Sequence, residues 1–119
     1  LYPWGNEEPD CNLANKVGCV ADTTPVDQYE AGISPYGVFG MSGNVWEWTS
    51  TLFKPYPYKA DDGREAMDLK ATGARIARGG SWHAFGGNSG NIRVDTRLQL
   101  DPGYFGAYVG FRCVVSLEK

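Results

Sequence analysis

Glycine or proline returns at Pro3, Gly5, Pro9, Gly18, Pro25, Gly32 and Pro35, so no helix of ten residues fits into the first 36 positions. The punctuation continues to the end of the chain, with 16 glycines and 7 prolines among 119 residues. Each is costly inside a helix or a strand ladder. A helical bundle and a coiled coil are thereby excluded. Yet 42% of the residues are apolar and 21% charged, which are the proportions of a chain with a core. The implied fold class is α+β with little regular secondary structure, in which short antiparallel strands carry long irregular loops.

Residues 1–36 read as a coat pinned to a small sheet by Trp4, Val20, Val26, Tyr29 and Ile33. Between Tyr36 and Thr49, Val38, Val45, Trp46 and Trp48 favour strands while Gly37, Gly40 and Gly43 favour turns. That pattern predicts a strand, a turn at Ser42-Gly43-Asn44 and a second strand over 45–49. Residues 50–74 hold Pro55, Pro57 and many charges, and predict a surface excursion with at most one helical turn over 64–69. A short strand over 76–78 runs into the Gly79-Gly80 turn. Residues 92–98 predict a short helix on which Arg93 and Arg97 share a face. After Asp101-Pro102-Gly103, a strand over 109–115 closes the chain, and Trp4, Trp46, Trp48 and Trp82 are the expected core anchors.

The formal net charge is −3, and no run of like charges exceeds the pairs Glu7-Glu8 and Asp61-Asp62. Nucleic acid is therefore disfavoured as a partner. No stretch approaches 18 uninterrupted apolar residues, so no membrane span is expected. Of the three cysteines, Cys11 and Cys19 lie eight apart in a turn-rich segment, where they could form a disulfide or remain unrelated thiols in a reducing cell. The overall reading favours an extracytoplasmic or cell-surface setting.

Four pieces occur in fixed order: YPWGNE at 2–7, ANKVGCVADTTPVD at 14–27, SPYGVFGMSGNVWEW at 34–48, and RGGSW at 78–82 followed by VGFRCV at 109–114. Together they resemble the formylglycine-generating enzyme, or sulfatase-modifying factor, family, whose fold is a variant of the C-type lectin fold. The resemblance covers only the carboxy-terminal half of that family's domain. It implies that residues 1–119 are a half-domain, with the upstream half in the same or another chain and some apolar surface left for it.

The resemblance implies copper-dependent oxidation of a substrate cysteine, with active-site cysteines three and eight residues after the serine of the GGS motif. Here those positions are Ala84 and Ser89. Soft Cu(I) needs sulfur donors, and Cys113 is expected to pack as a small apolar residue, so copper chemistry is disfavoured. A second branch that this half resembles is the sulfoxide synthases of thiol-histidine biosynthesis. Their iron site takes histidines from a helical domain, whereas His83 is the single histidine here. The family also binds structural calcium, a hard cation that takes oxygen ligands. By resemblance one site would use the carbonyls of Gly43 and Val45 and the carboxylate of Glu47, although its further side-chain ligand falls on Gly40. Another site would use Asn15 and Asp22. The alternative for Glu47 is an ion pair with an arginine such as Arg78 or Arg112.

Residues 83–108 are the segment best suited to binding. His83, Phe85, Tyr104, Phe105 and Tyr108 supply rigid contact area, and Asn88, Ser89, Asn91 and Asp95 supply adaptable polar groups among several glycines. A protein or a smaller ligand is the expected partner there. Arg93 and Arg97 could grip a carboxylate or phosphate, or could tie loop carbonyls and buried acids together. The segment also resembles the variable proteins of diversity-generating retroelements, which end near GFR. Those proteins place mutable, adenine-rich codons between the GGSW turn and the last strand. Non-catalytic recognition through 83–108 is the function this sequence implies. The alternative is an oxidoreductase domain acting on thiol substrates.

Overall fold

The protein is described by a computed structural model that covers residues 1–68, 72–84 and 91–115. Its centre is a four-stranded sheet of β1 (Trp46–Leu52), β2 (Arg75–Arg78), β3 (Leu98–Leu100) and β4 (Val109–Gly110), in the order β3-β2-β1-β4. β1 pairs antiparallel with β2, and β2 antiparallel with β3. β4 runs parallel to β1, with Trp46 opposite Val109 and Glu47 opposite Gly110. Among the described residues the helical structure is a single 3-10 turn at Glu30–Gly32.

Registered neighbours share a face of the pleat, which gives the sheet two chemically different sides. Trp48 opposes Ala77 and Ala77 opposes Leu98; with Trp46 and Leu100 they build the core, against which Tyr104 and Val109 pack. The register sets Glu47 opposite Arg78 and Ile76 opposite Gln99, so the other face is largely polar. Trp46 is almost fully buried, while Trp4, Trp48 and Trp82 are half-buried.

Several expectations need correction. No strand precedes the 42–44 turn. Gly37 and Gly40 take positive φ, and Ser34 and Val38 close a tight loop through a 3.1 Å backbone hydrogen bond. Residues 92–98 are not helical: Asn91 Oδ1 accepts from the Arg93 backbone N–H, a turn follows, and Leu98 and Leu100 alternate as buried residues of a strand. The period-two burial overrode the helical spacing of the arginines. The last strand ends at Gly110 rather than Val115, and Cys113 is exposed. Over the described part of 64–69 the chain makes one turn, in which Ala66 N donates to Gly63 O at 3.2 Å, within the single turn at most that was expected there. Val20 and Val26 are exposed, whereas Leu13, Ala14 and Asn15 carry the burial of the early loop.

Cys11 and Cys19 are joined by a disulfide, with 5.5 Å between their Cα atoms. No helix among the described residues is long and apolar enough to cross a membrane.

Candidate functional site

The RGGSW segment is set by two left-handed turns clasped together. Gly43 (φ 81°) and Asn44 (φ 65°) lie in the left-handed region, as do Gly79 and Gly80. Gly43 N donates to Gly79 O at 2.8 Å, and Trp82 N donates to Asn44 O at 2.9 Å. Asn44 binds the early loop as well: its N–H donates to Asn15 O, and its side chain both accepts from and donates to the backbone of Thr24. GNVWEW, RGGSW and the 14–24 loop therefore form one rigid unit.

From that unit an aromatic ladder emerges. Ser81 Oγ donates to His83 O and accepts from His83 N, turning the chain so that His83 is exposed. Trp82 meets the His83 ring edge-on at 5.2 Å, and the Tyr108 ring stacks on His83 at 4.9 Å and 12°. Tyr108 is held by its carbonyl, which accepts from Trp46 N in β1. Its hydroxyl lies 2.6 Å from that of Tyr104. This hydrogen bond, then burial, push the Tyr104 phenol up to about 12. The neutral phenol is thus favoured in the folded state. Its contribution to stability is complete below pH about 10, and is lost as pH rises towards about 12. Thermal melts across that alkaline window should fall more steeply for the native protein than for Tyr104→Phe; parallel curves would count against the pairing.

His83, Tyr104 and Tyr108 are thus brought together, with Phe105 beside them in sequence and 90% exposed. Asn91 is also exposed. Arg93 and Asp95 answer each other in a two-pronged ion pair, near the point where Val94 N donates to Leu1 O. That pair lowers the Asp95 carboxyl below its ordinary range. Arg97 does not join them and lines a pocket with Thr49, Thr51, Ile76 and Arg78. Phe85, Asn88 and Ser89 lie outside the described residues.

The calcium donor sets are otherwise engaged. Both Glu47 oxygens accept from Arg112, at 2.6 Å from Nε and 2.5 Å from Nη2, and the same guanidinium donates to Phe39 O and Gly40 O. The Arg112 guanidinium thus answers the Glu47 carboxylate. Asn15 Nδ2 donates to Asp22 O, and the Asp22 carboxylate accepts from Thr23 N. Among the described residues no group of three histidine, cysteine or acidic side chains could hold a metal.

Composition did not mark one further feature. A cleft of about 480 Å³ runs beside β4, lined by Val26, Val38, Phe39, Val45 and Phe111 with the Glu47–Arg112 pair. Apolar side chains scattered through loops have no periodicity, so no sequence signal gathers them. Tyr36, Val114 and Val115 are also widely exposed.

Comparison with known proteins gives a consistent picture. The model of the sulfatase-modifying factor enzyme 1-like domain matches residues 1–117. Hercynine oxygenase of Mycobacterium tuberculosis is 41% identical over 83 residues, a match taking in 68% of this chain and 20% of that protein. The inactive C-alpha-formylglycine-generating enzyme 2 of Mus musculus is 29% identical over 130 residues, covering 100% of this chain and 38% of its own length. In structure, Treponema denticola variable protein 1 superposes with a TM-score of 0.61 at 24% identity, over 84% of this chain and 34% of that one. The chain spans well under half the length of each of these relatives.

Proposed function

The chain belongs to the sulfatase-modifying factor enzyme 1-like family, and from that premise we propose that it is a non-catalytic, C-type-lectin-like recognition module that binds a protein or other ligand through residues 83–108. The observation that carries this reading is the His83–Tyr108–Tyr104 ladder, mounted on a rigid turn and flanked by the exposed Phe105. Fixed aromatic rings lose little entropy on binding and are the usual anchors of an interface. The chemistry at the redox positions agrees: Ala84 offers no thiolate, and Ser89 is not a soft ligand. The similarity to a mouse relative described as inactive supports the same reading. Diversification of this segment by a retroelement is part of the proposal. It stands on the Asn, Ser, Asp and Tyr content of 88–108, and fails if no template repeat differing at adenines lies near the gene.

The similarity to hercynine oxygenase favours a second reading, in which this domain completes an oxidoreductase acting on thiol substrates. Metal ligands would then come from elsewhere, and the exposed apolar face around Phe111 and Val114 would seat the upstream half of the domain. One experiment separates the two. Peptide-display and glycan-array selection against the full-length protein should yield ligands that bind about tenfold more weakly to Phe105→Ala and Tyr108→Ala, and unchanged to Val20→Ala. Ligands indifferent to both substitutions, or oxidation of a thiol by the metal-loaded protein, would overturn the recognition reading.

A further inference from the structure

The polar face of the sheet, opposite the core, carries a small arginine-lined pocket. Residues 54–65 fold over it. Leu52 N donates to Arg64 O, and the Arg64 side chain donates to the carbonyls of Pro55 and Pro57. The pocket measures about 110 Å³, and Thr49, Thr51, Tyr56, Arg64, Arg78 and Arg97 line it. Three guanidinium groups thus border one small, partly open pocket.

Their charges are not equally answered. Arg64 is almost completely buried and is neutralised by Asp62 through two hydrogen bonds of 3.0 and 2.7 Å. The Glu65 carboxylate accepts from the hydroxyls of Thr51 and Tyr58 and keeps its negative charge at the pocket wall. Arg78 donates from Nη1 to Val94 O and Thr96 O, and Arg97 from Nη1 to Lys54 O. Among the described residues neither Arg78 nor Arg97 pairs with a carboxylate. The Arg97 guanidinium carbon lies over two rings, 3.9 Å from the Tyr56 centroid and 5.0 Å from that of Phe53. Cation–π contact of this kind restrains the guanidinium, and among the described residues only its Nη1 is committed, to Lys54 O. Three guanidinium groups against the carboxylates of Asp62 and Glu65 leave the pocket wall net positive, and a partly shielded excess of positive charge attracts an anion more strongly than the same charge in open solvent.

We propose that this pocket binds a small oxyanion, a carboxylate or phosphate group, gripped by Arg97 and Arg78. It lies on the other side of the sheet from the aromatic ladder, so it stands or falls independently of recognition through 83–108.

The test is titration of the full-length protein with inorganic phosphate and, separately, with acetate, each against sodium chloride at matched ionic strength. Calorimetry and amide shifts are the readouts. Saturable binding of either oxyanion is expected, with shifts confined to residues 49–64, 76–78 and 97. A preference for phosphate identifies a phosphoryl ligand, and a preference for acetate a carboxylate. Arg97→Gln should weaken binding at least about tenfold, and Arg97→Lys by less, since it keeps the charge but loses the fork. If Arg97→Gln fails to fold, the shift map of the native protein decides. Chloride matching both oxyanions, shifts scattered over the surface, or unchanged affinity in a folded Arg97→Gln would overturn the proposal.

Discussion

Replacing Trp46 with alanine is expected to lower the unfolding free energy by about 3–5 kcal/mol. The side chain is 1% exposed and touches the strands on which everything else is mounted: Ala77 of β2, and Leu98 and Leu100 of β3. Trp46→Phe should cost clearly less, because it keeps most of the apolar volume and removes an indole N–H that is buried without an acceptor. Urea unfolding followed by circular dichroism measures both. A loss below about 1 kcal/mol for the alanine variant would mean that the core lies elsewhere.

Gly80→Ala should be nearly as damaging, by about 2–4 kcal/mol. The residue sits at φ +75°, and an added Cβ would stand 2.7 Å from Ile92 Cγ2 and 2.9 Å from Asn91 O. The left-handed backbone and the collision act together, and neither neighbour is the free end of a long side chain. Because Gly80 precedes Ser81 and His83, the ladder should shift with it, and ligand affinity should fall beyond what the stability loss explains. Gly103→Ala is the control: nothing lies within 4 Å of its added Cβ, and its stability should stay within about 0.5 kcal/mol of the native value. Equal effects at the two glycines would remove the steric explanation.

The family and fold class were legible in the sequence because they rest on short, ordered pieces. Asn44 must reach back to Asn15 and Thr24, and Gly79 must accept the left-handed turn, so GNVWEW, RGGSW and the early loop are readable as linear words. The candidate site was legible in part. His83, Tyr104 and Tyr108 were named from composition and do meet, whereas Arg93 and Arg97, paired by their spacing, part company once residues 98–100 enter the sheet.

What the sequence determined alone was which turns are compulsory and which side chains stand at two positions: glycine at positive φ, and alanine and serine at 84 and 89. Partnership was decided only in three dimensions. Arg112 meets Glu47 across 65 positions, and Arg97 meets Lys54 across 43. No local propensity encodes such pairs. They form because β4 docks parallel to β1 and residues 54–65 fold over the polar face of the sheet, and a guanidinium in either place takes whatever oxygens the backbone brings within its reach.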